Sequence, residues 1–138
     1  MPIMTEGELI RALGEVLNLQ LSDIPKIRAA YQSLNIEALR EEARRRIRVV
    51  LWEPGQKAPT GVLWEEAYPH LKEGYKAYAI YIDGRLVYFV PESPKTGQKM
   101  KTDEELQEAI AHHVESLVDD IVNAQIPNLV LELIGYGA

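Results

Sequence analysis

His112 and His113 are adjacent, and the side chains around them are the ones in this chain most able to do chemistry. On a helix, Glu108 lies four residues before His112 and Glu115 three residues after it, with Glu105 and Asp119 on the same acidic face. Imidazole and carboxylate together suit zinc or iron. Helical metal sites, however, use His-Glu-x-x-His or a Glu-x-x-His repeated on facing helices, and neither pattern occurs here. The chain has no cysteine, which removes thiolate metal sites, cysteine nucleophiles and disulfides together. A solvated acidic face is therefore expected around His112, with His113 at the boundary of the core, and a metal-dependent enzyme at His112 is the least favoured reading. The four serines, Ser22, Ser33, Ser93 and Ser116, all lie outside a Gly-x-Ser-x-Gly elbow. Ser116 shares a helix face with His112, but a helix interior offers no free N–H groups to hold an oxyanion. The loop Pro94-Lys95-Thr96-Gly97-Gln98-Lys99 has the residue types of a phosphate-binding loop in the wrong order. No catalytic residue, metal ligand or cofactor is expected.

A second group of candidates is basic. Arg40, Arg44 and Arg48 align one helical turn apart and could contact phosphates, which makes nucleic-acid binding an alternative function. Glu41 with Arg45 and Glu42 with Arg46 are spaced as i,i+4 ion pairs, which favours a salt-bridged outer face. The net charge of −6 also argues against a broad nucleic-acid footprint. Residues 1–91 carry 12 basic and 12 acidic side chains, whereas residues 92–138 carry 3 and 9.

The elements that must position these groups can be read from capping and periodicity. Thr5-Glu6-Gly7-Glu8 is a capping box, and Leu9, Ile10, Leu13, Val16 and Leu17 follow at helical spacing, so a helix from about Glu6 to Asn18 is expected. Ser22 to Pro25 opens a second helix with Ile24, Ile27, Tyr31 and Leu34 as its stripe. Asn35 can cap a third, with Ile36, Leu39, Ala43 and Ile47 inward. Residues 48–53 are β-like, and Val62 to Tyr68 suits a short helix ended by Pro69. Asp83-Gly84 between two β-rich runs, 75–82 and 85–90, marks a hairpin with a tight turn. Thr102-Asp103-Glu104-Glu105 is a second capping box. It starts the longest helix, expected to end near Ala124 with Leu106, Ile110, Val114, Leu117 and Ile121 as its core face. Ile126-Pro127-Asn128 should break it, leaving residues 126–138 as a separate apolar tail element, helix rather than strand, stopped by Gly135. The fold expected is α+β: four to five helices packed on a small, mainly antiparallel sheet containing the hairpin, in one domain of 138 residues.

Hairpin and tail supply the candidate partner-binding residues. Alternation puts Tyr78, Ile80, Ile82, Val87 and Phe89 on one face of the hairpin. It sends Tyr75, Ala77, Ala79, Tyr81, Leu86, Tyr88 and Val90 to the other. Both faces are apolar, so the second is either covered core or an exposed patch in which Tyr75, Tyr81, Leu86 and Tyr88 anchor a partner. Leu129, Leu131 and Leu133 of the tail pose the same choice between docking on their own chain and entering a partner's groove.

Glu42-Ala43-Arg44-Arg45-Arg46, the later Ala58-Pro59-Thr60-Gly61-Val62-Leu63, a β region and a C-terminal helix together resemble the layout of small tailed-phage head–tail joining proteins. Residues 47–57 are an extra segment relative to that layout. The resemblance implies a small accessory protein of phage type and carries no residue assignments. The chain begins without a basic or apolar leader, and no apolar run approaches the roughly 18 residues of a membrane span. A cysteine-free, cytoplasmic protein is expected. Its function would be that of a non-enzymatic interaction module, a regulatory or assembly factor binding a larger protein or its own copies.

Overall fold

The computed structural model describes residues 2–53, 56–63, 69 and 73–136. Among the described residues, four α-helices and three β-strands make an α+β fold in the order α1 (Glu6–Val16), α2 (Asp23–Ser33), α3 (Ile36–Arg46), β1 (Ile47–Trp52), β2 (Ala77–Ile82), β3 (Arg85–Val90) and α4 (Asp103–Leu133). The expected short helix at Val62–Tyr68 falls mainly on residues outside those described. The chain divides into two compact units, one formed by Met1–Ala43 with Ser116–Ala138 and the other by Arg44–Glu115.

Local signals in the helical unit act as the sequence anticipates. Thr5 accepts from the Glu8 N–H at 3.2 Å, and Glu8 accepts from the Thr5 N–H at 3.1 Å, closing the capping box of α1. Asn35 caps α3 through the Ala38 N–H at 3.1 Å. The core is built from Leu9, Leu13, Ile27, Ala30 and Ala43 with Leu117, Val118, Val122, Ile126 and Val130. Asn123 clamps the N-terminal segment: its Oδ1 accepts from the Met4 N–H at 2.8 Å and its Nδ2 donates to the Pro2 carbonyl at 2.9 Å. Tyr31 donates its hydroxyl to the Met4 carbonyl at 2.5 Å.

Two expectations for the long helix are overturned. The helix does not end near Ala124: α4 runs to Leu133 with Pro127 inside it, so residues 126–133 are its last turns rather than a separate tail element. Proline costs the helix one hydrogen bond and crowds the carbonyl four residues back. Ile126 and Val130, both fully buried, hold the helix together on either side of it. The buried stripe also differs. Ile110, Val114 and Ile121 are half-buried, and the inward row is Leu106, Ala109, Leu117, Val118, Val122, Ile126 and Val130. At 3.6 residues per turn Val118 lies about 120° around the helix from Leu106, and the four-residue steps to Val122, Ile126 and Val130 turn further, so the buried face of the first half does not extrapolate to the second. The helix closes as the sequence suggests. Gly135 adopts φ 72° and donates to the Glu132 carbonyl at 3.1 Å, while Tyr136 donates to Leu131 at 3.0 Å, a Schellman motif.

In the other unit the sheet is antiparallel in the order β1-β2-β3. Asp83 (φ 52°) and Gly84 (φ 81°) form the tight turn between β2 and β3. Arg46 forks onto the Asp83 carboxylate at 2.8–3.2 Å and holds that carboxyl below the usual carboxylate range. Arg46 thus has a partner 37 residues away rather than merely its helical neighbour. From the turn, pairing runs Ile82↔Arg85 and Tyr81↔Leu86, then jumps to Ile80↔Tyr88, Ala79↔Phe89 and Tyr78↔Val90. Val87 is an extra residue on β3. This bulge moves every later residue to the opposite face from the one alternation assigns. Tyr88 and Val90 therefore share the face of Tyr78 and Ile80, and Phe89 joins Ala77, Ala79 and Tyr81.

Both faces of β2 are covered, and Ala77 to Tyr81 are all buried. On one face Tyr78 meets the first half of α4. On the other, the connection after β1 folds over the sheet: Trp52 and Ala77 pack with Ala58, Val62 and Phe89. Trp52 and Phe89 meet edge to face, their ring centroids 5.6 Å apart. Gly61 (φ +94°) lies against Leu86, and a Cβ at that position would stand 3.2 Å from Leu86 Cδ2. Gly61→Ala is expected to destabilise this unit by about 1–3 kcal/mol, because the left-handed backbone and the close approach both oppose a side chain. The shift of its chemical-denaturation midpoint measures this, and an unchanged midpoint would mean that the loop does not rest on the sheet.

Candidate partner-binding surface

The hairpin candidates are for the most part spent inside the protein. Tyr81 is 3% exposed; its hydroxyl donates to the Thr60 carbonyl at 2.6 Å, and the Arg48 guanidinium sits 4.6 Å from its ring centroid. Leu86 is half-buried under Gly61. Tyr75 is half-buried, with Lys99 and Lys101 at 4.9 and 5.4 Å from its ring. Of the two alternatives for this face, covered core holds for Tyr81, and Tyr75, Tyr81, Leu86 and Tyr88 do not form one open patch. Thr60 and Gly61 lie against Tyr81 and Leu86, and the bulge carries Tyr88 to the other face. Tyr88 remains exposed, 5.0 Å from the His113 ring.

His113 itself is half-buried, its Nδ1 3.0 Å from the Tyr78 hydroxyl. Burial, and secondarily the neighbouring His112, lowers the His113 pKa below 6.5, and burial raises that of Tyr78. A base with a depressed folded-state pKa stabilises the fold fully at neutral pH. As pH falls below 6.5 the unfolded chain takes up the proton first, so stability declines down to the folded-state pKa and then levels. The drop in denaturation midpoint between pH 7.5 and pH 5 should be smaller in His113→Asn than in the natural protein. Equal drops would show that His113 contributes nothing to it. His112 is exposed, and among the described residues no group of three metal-ligating side chains comes together.

The arginine stripe is likewise engaged. Arg40 pairs with Asp119 and Glu37. Arg44 reaches Glu115 through two nitrogens at 3.1 and 3.2 Å. With Arg48 over Tyr81, each of the three arginines meant for phosphates has an internal partner.

The tail residues have a different outcome. Leu34, the residue after α2, is extended (φ −69°, ψ 136°) and its N–H donates to the Tyr31 carbonyl at 3.1 Å. With Asn35 capping α3 immediately afterwards, the chain turns sharply between the two helices. The corner leaves a recess of about 440 Å³ against the last turns of α4, lined by Leu34, Ala38, Leu39, Leu129, Glu132 and Leu133 with Ser33 and Asn35. A second recess, of about 480 Å³, is lined by Lys26, Ala29, Ala30, Ser33, Leu133 and Ile134. Ser33 and Leu133 line both and so form the wall between them. Leu133 is 58% exposed, Leu129 and Leu131 are half-buried, and Val130 is fully buried. Leu129 and Leu133 of the tail thus come together with Ala38 and with Leu34 and Leu39, the two that reading the sequence as helix stripes assigns to the core. The signal that could have found them is the absence of any spacer between α2 and the Asn35 cap.

Comparison with protein-family models, with curated proteins and with solved structures gives no match. None of the described helices is long and apolar enough to cross a membrane.

Proposed function

We propose that this chain is a non-enzymatic protein-interaction module, a regulatory or assembly factor of the cytoplasm that engages a larger protein or further copies of itself through the surface around Leu133. One observation carries the reading: a leucine 58% exposed lines two recesses, of which the one at the corner between α2 and α3 is largely apolar. An exposed leucine by itself is ordinary, but an apolar recess beside it offers a partner both a knob and a hole. The expected engagement is that of a groove receiving apolar side chains.

Immobilised full-length chain should retain a protein partner in stoichiometric amount, after nuclease treatment, and Leu133→Lys should lose it. Equal retention by both proteins would show that the surface is not the binding site. Retention of nucleic acid alone would overturn the reading in favour of a phosphate-binding role.

A further inference from the structure

We infer that the surface around Leu133 pairs with itself, so that two copies of the chain associate about a two-fold axis. This rests on the interaction reading and names its partner. In a two-fold interface the same patch serves both sides, so that if residue i touches residue j, j of the first copy touches i of the second. Such a patch must carry its own complement in shape and in charge.

The Leu133 surface has both. Leu133 is exposed and lines both recesses. A two-fold axis passing at Leu133 sets the two leucines against each other and lays the Lys26 recess of each copy over the Glu132 recess of its mate. The charges follow the same pattern. Glu132 lines one recess and Lys26 the other, both are exposed, and neither forms an ion pair among the described residues. With one positive and one negative group flanking an apolar ridge, the patch is neutral as a whole. A strongly acidic or basic partner would gain at one recess and lose at the other. A second copy gains at both, because Lys26 of each meets Glu132 of its mate. The chain's net charge of −6 makes whole copies repel. Apolar contact must therefore supply most of the attraction, and the two Lys26–Glu132 pairs set register and discriminate against other docking modes.

The test is sedimentation equilibrium of the full chain from micromolar to millimolar concentration. The natural protein should show reversible dimerisation, and Leu133→Lys should remain monomeric. Lys26→Glu alone and Glu132→Lys alone each set like charges against one another twice and should weaken association roughly tenfold or more. The double variant Lys26→Glu/Glu132→Lys restores opposite charges in reversed order and should regain most of that loss, which a change in fold would not reproduce. A natural protein monomeric throughout, or a dimer indifferent to Leu133→Lys and to both reversals, would overturn the two-fold pairing. In the monomeric case, a different protein captured by the natural chain and lost by Leu133→Lys would leave the interaction reading standing. Equal capture by both would end that reading as well.

Discussion

Trp52→Ala is expected to remove about 3–5 kcal/mol from the stability of the unit that holds the sheet. Trp52 is 1% exposed, packs edge to face on Phe89 and donates its indole N–H to the Gln56 carbonyl at 3.1 Å. Ala58 and Val62 rest on the same cluster. Truncation would empty a space bounded by the sheet on one side and the connecting loop on the other, and the loop would lose both its apolar anchor and a hydrogen bond. Thermal or urea denaturation followed by circular dichroism measures the loss. A change below about 1 kcal/mol would mean that the site collapses without cost, and the account of the covered face would be wrong.

The second large effect is a contrast one helical turn apart. Val130 is fully buried and Leu133 is 58% exposed. Val130→Asp places an unpaired carboxylate among Ile126, Val122 and their neighbours and should cost more than about 4 kcal/mol, enough to unfold that unit. Leu133→Lys should change stability by no more than about 0.5 kcal/mol. Lysine is a good helix former, and a cation in the last turn suits the helix dipole. Comparable destabilisation by the two substitutions would place Leu133 in the core and remove the basis of the proposed surface. A stable Leu133→Lys protein lets loss of binding be read as loss of contact.

What was legible in the sequence had short-range causes. The Thr5 capping box, the Asn35 cap, the Asp83-Gly84 turn and the Gly135 stop each depend on a few adjacent residues, and each appears where the residue types put it. The α+β class followed from them. The failures have longer-range causes. Val87 has no feature of its own that marks a bulge, so alternation carried past it places Tyr88, Phe89 and Val90 on the wrong faces. Pro127 is a local stop signal overridden by packing, with Ile126 and Val130 buried on both sides of it. Arg40 and Arg44 lie one turn apart on α3, but Arg48 falls on β1 and leaves the stripe, and the acidic partners Asp119 and Glu115 are more than 70 positions away. For the candidate surface, Leu129 and Leu133 could be found because they are apolar in a short run. Leu34 and Leu39 are legible only through the missing spacer between α2 and the Asn35 cap, because helical spacing assigns both to the core.

The division into units also has a consequence for synthesis. Arg44–Glu115 is continuous in sequence and can pair its strands as soon as it has left the ribosome. Met1–Ala43 cannot finish in the same way, because the apolar row that completes its core, Val118, Val122, Ile126 and Val130, is translated after an entire intervening unit. Leu9, Leu13 and Ile27 are therefore made first and sheltered last. During that interval the nascent N-terminal helices present an apolar face to chaperones or to neighbouring chains. The clamp of Asn123 on Met4 and Pro2 closes only once both ends of this unit exist.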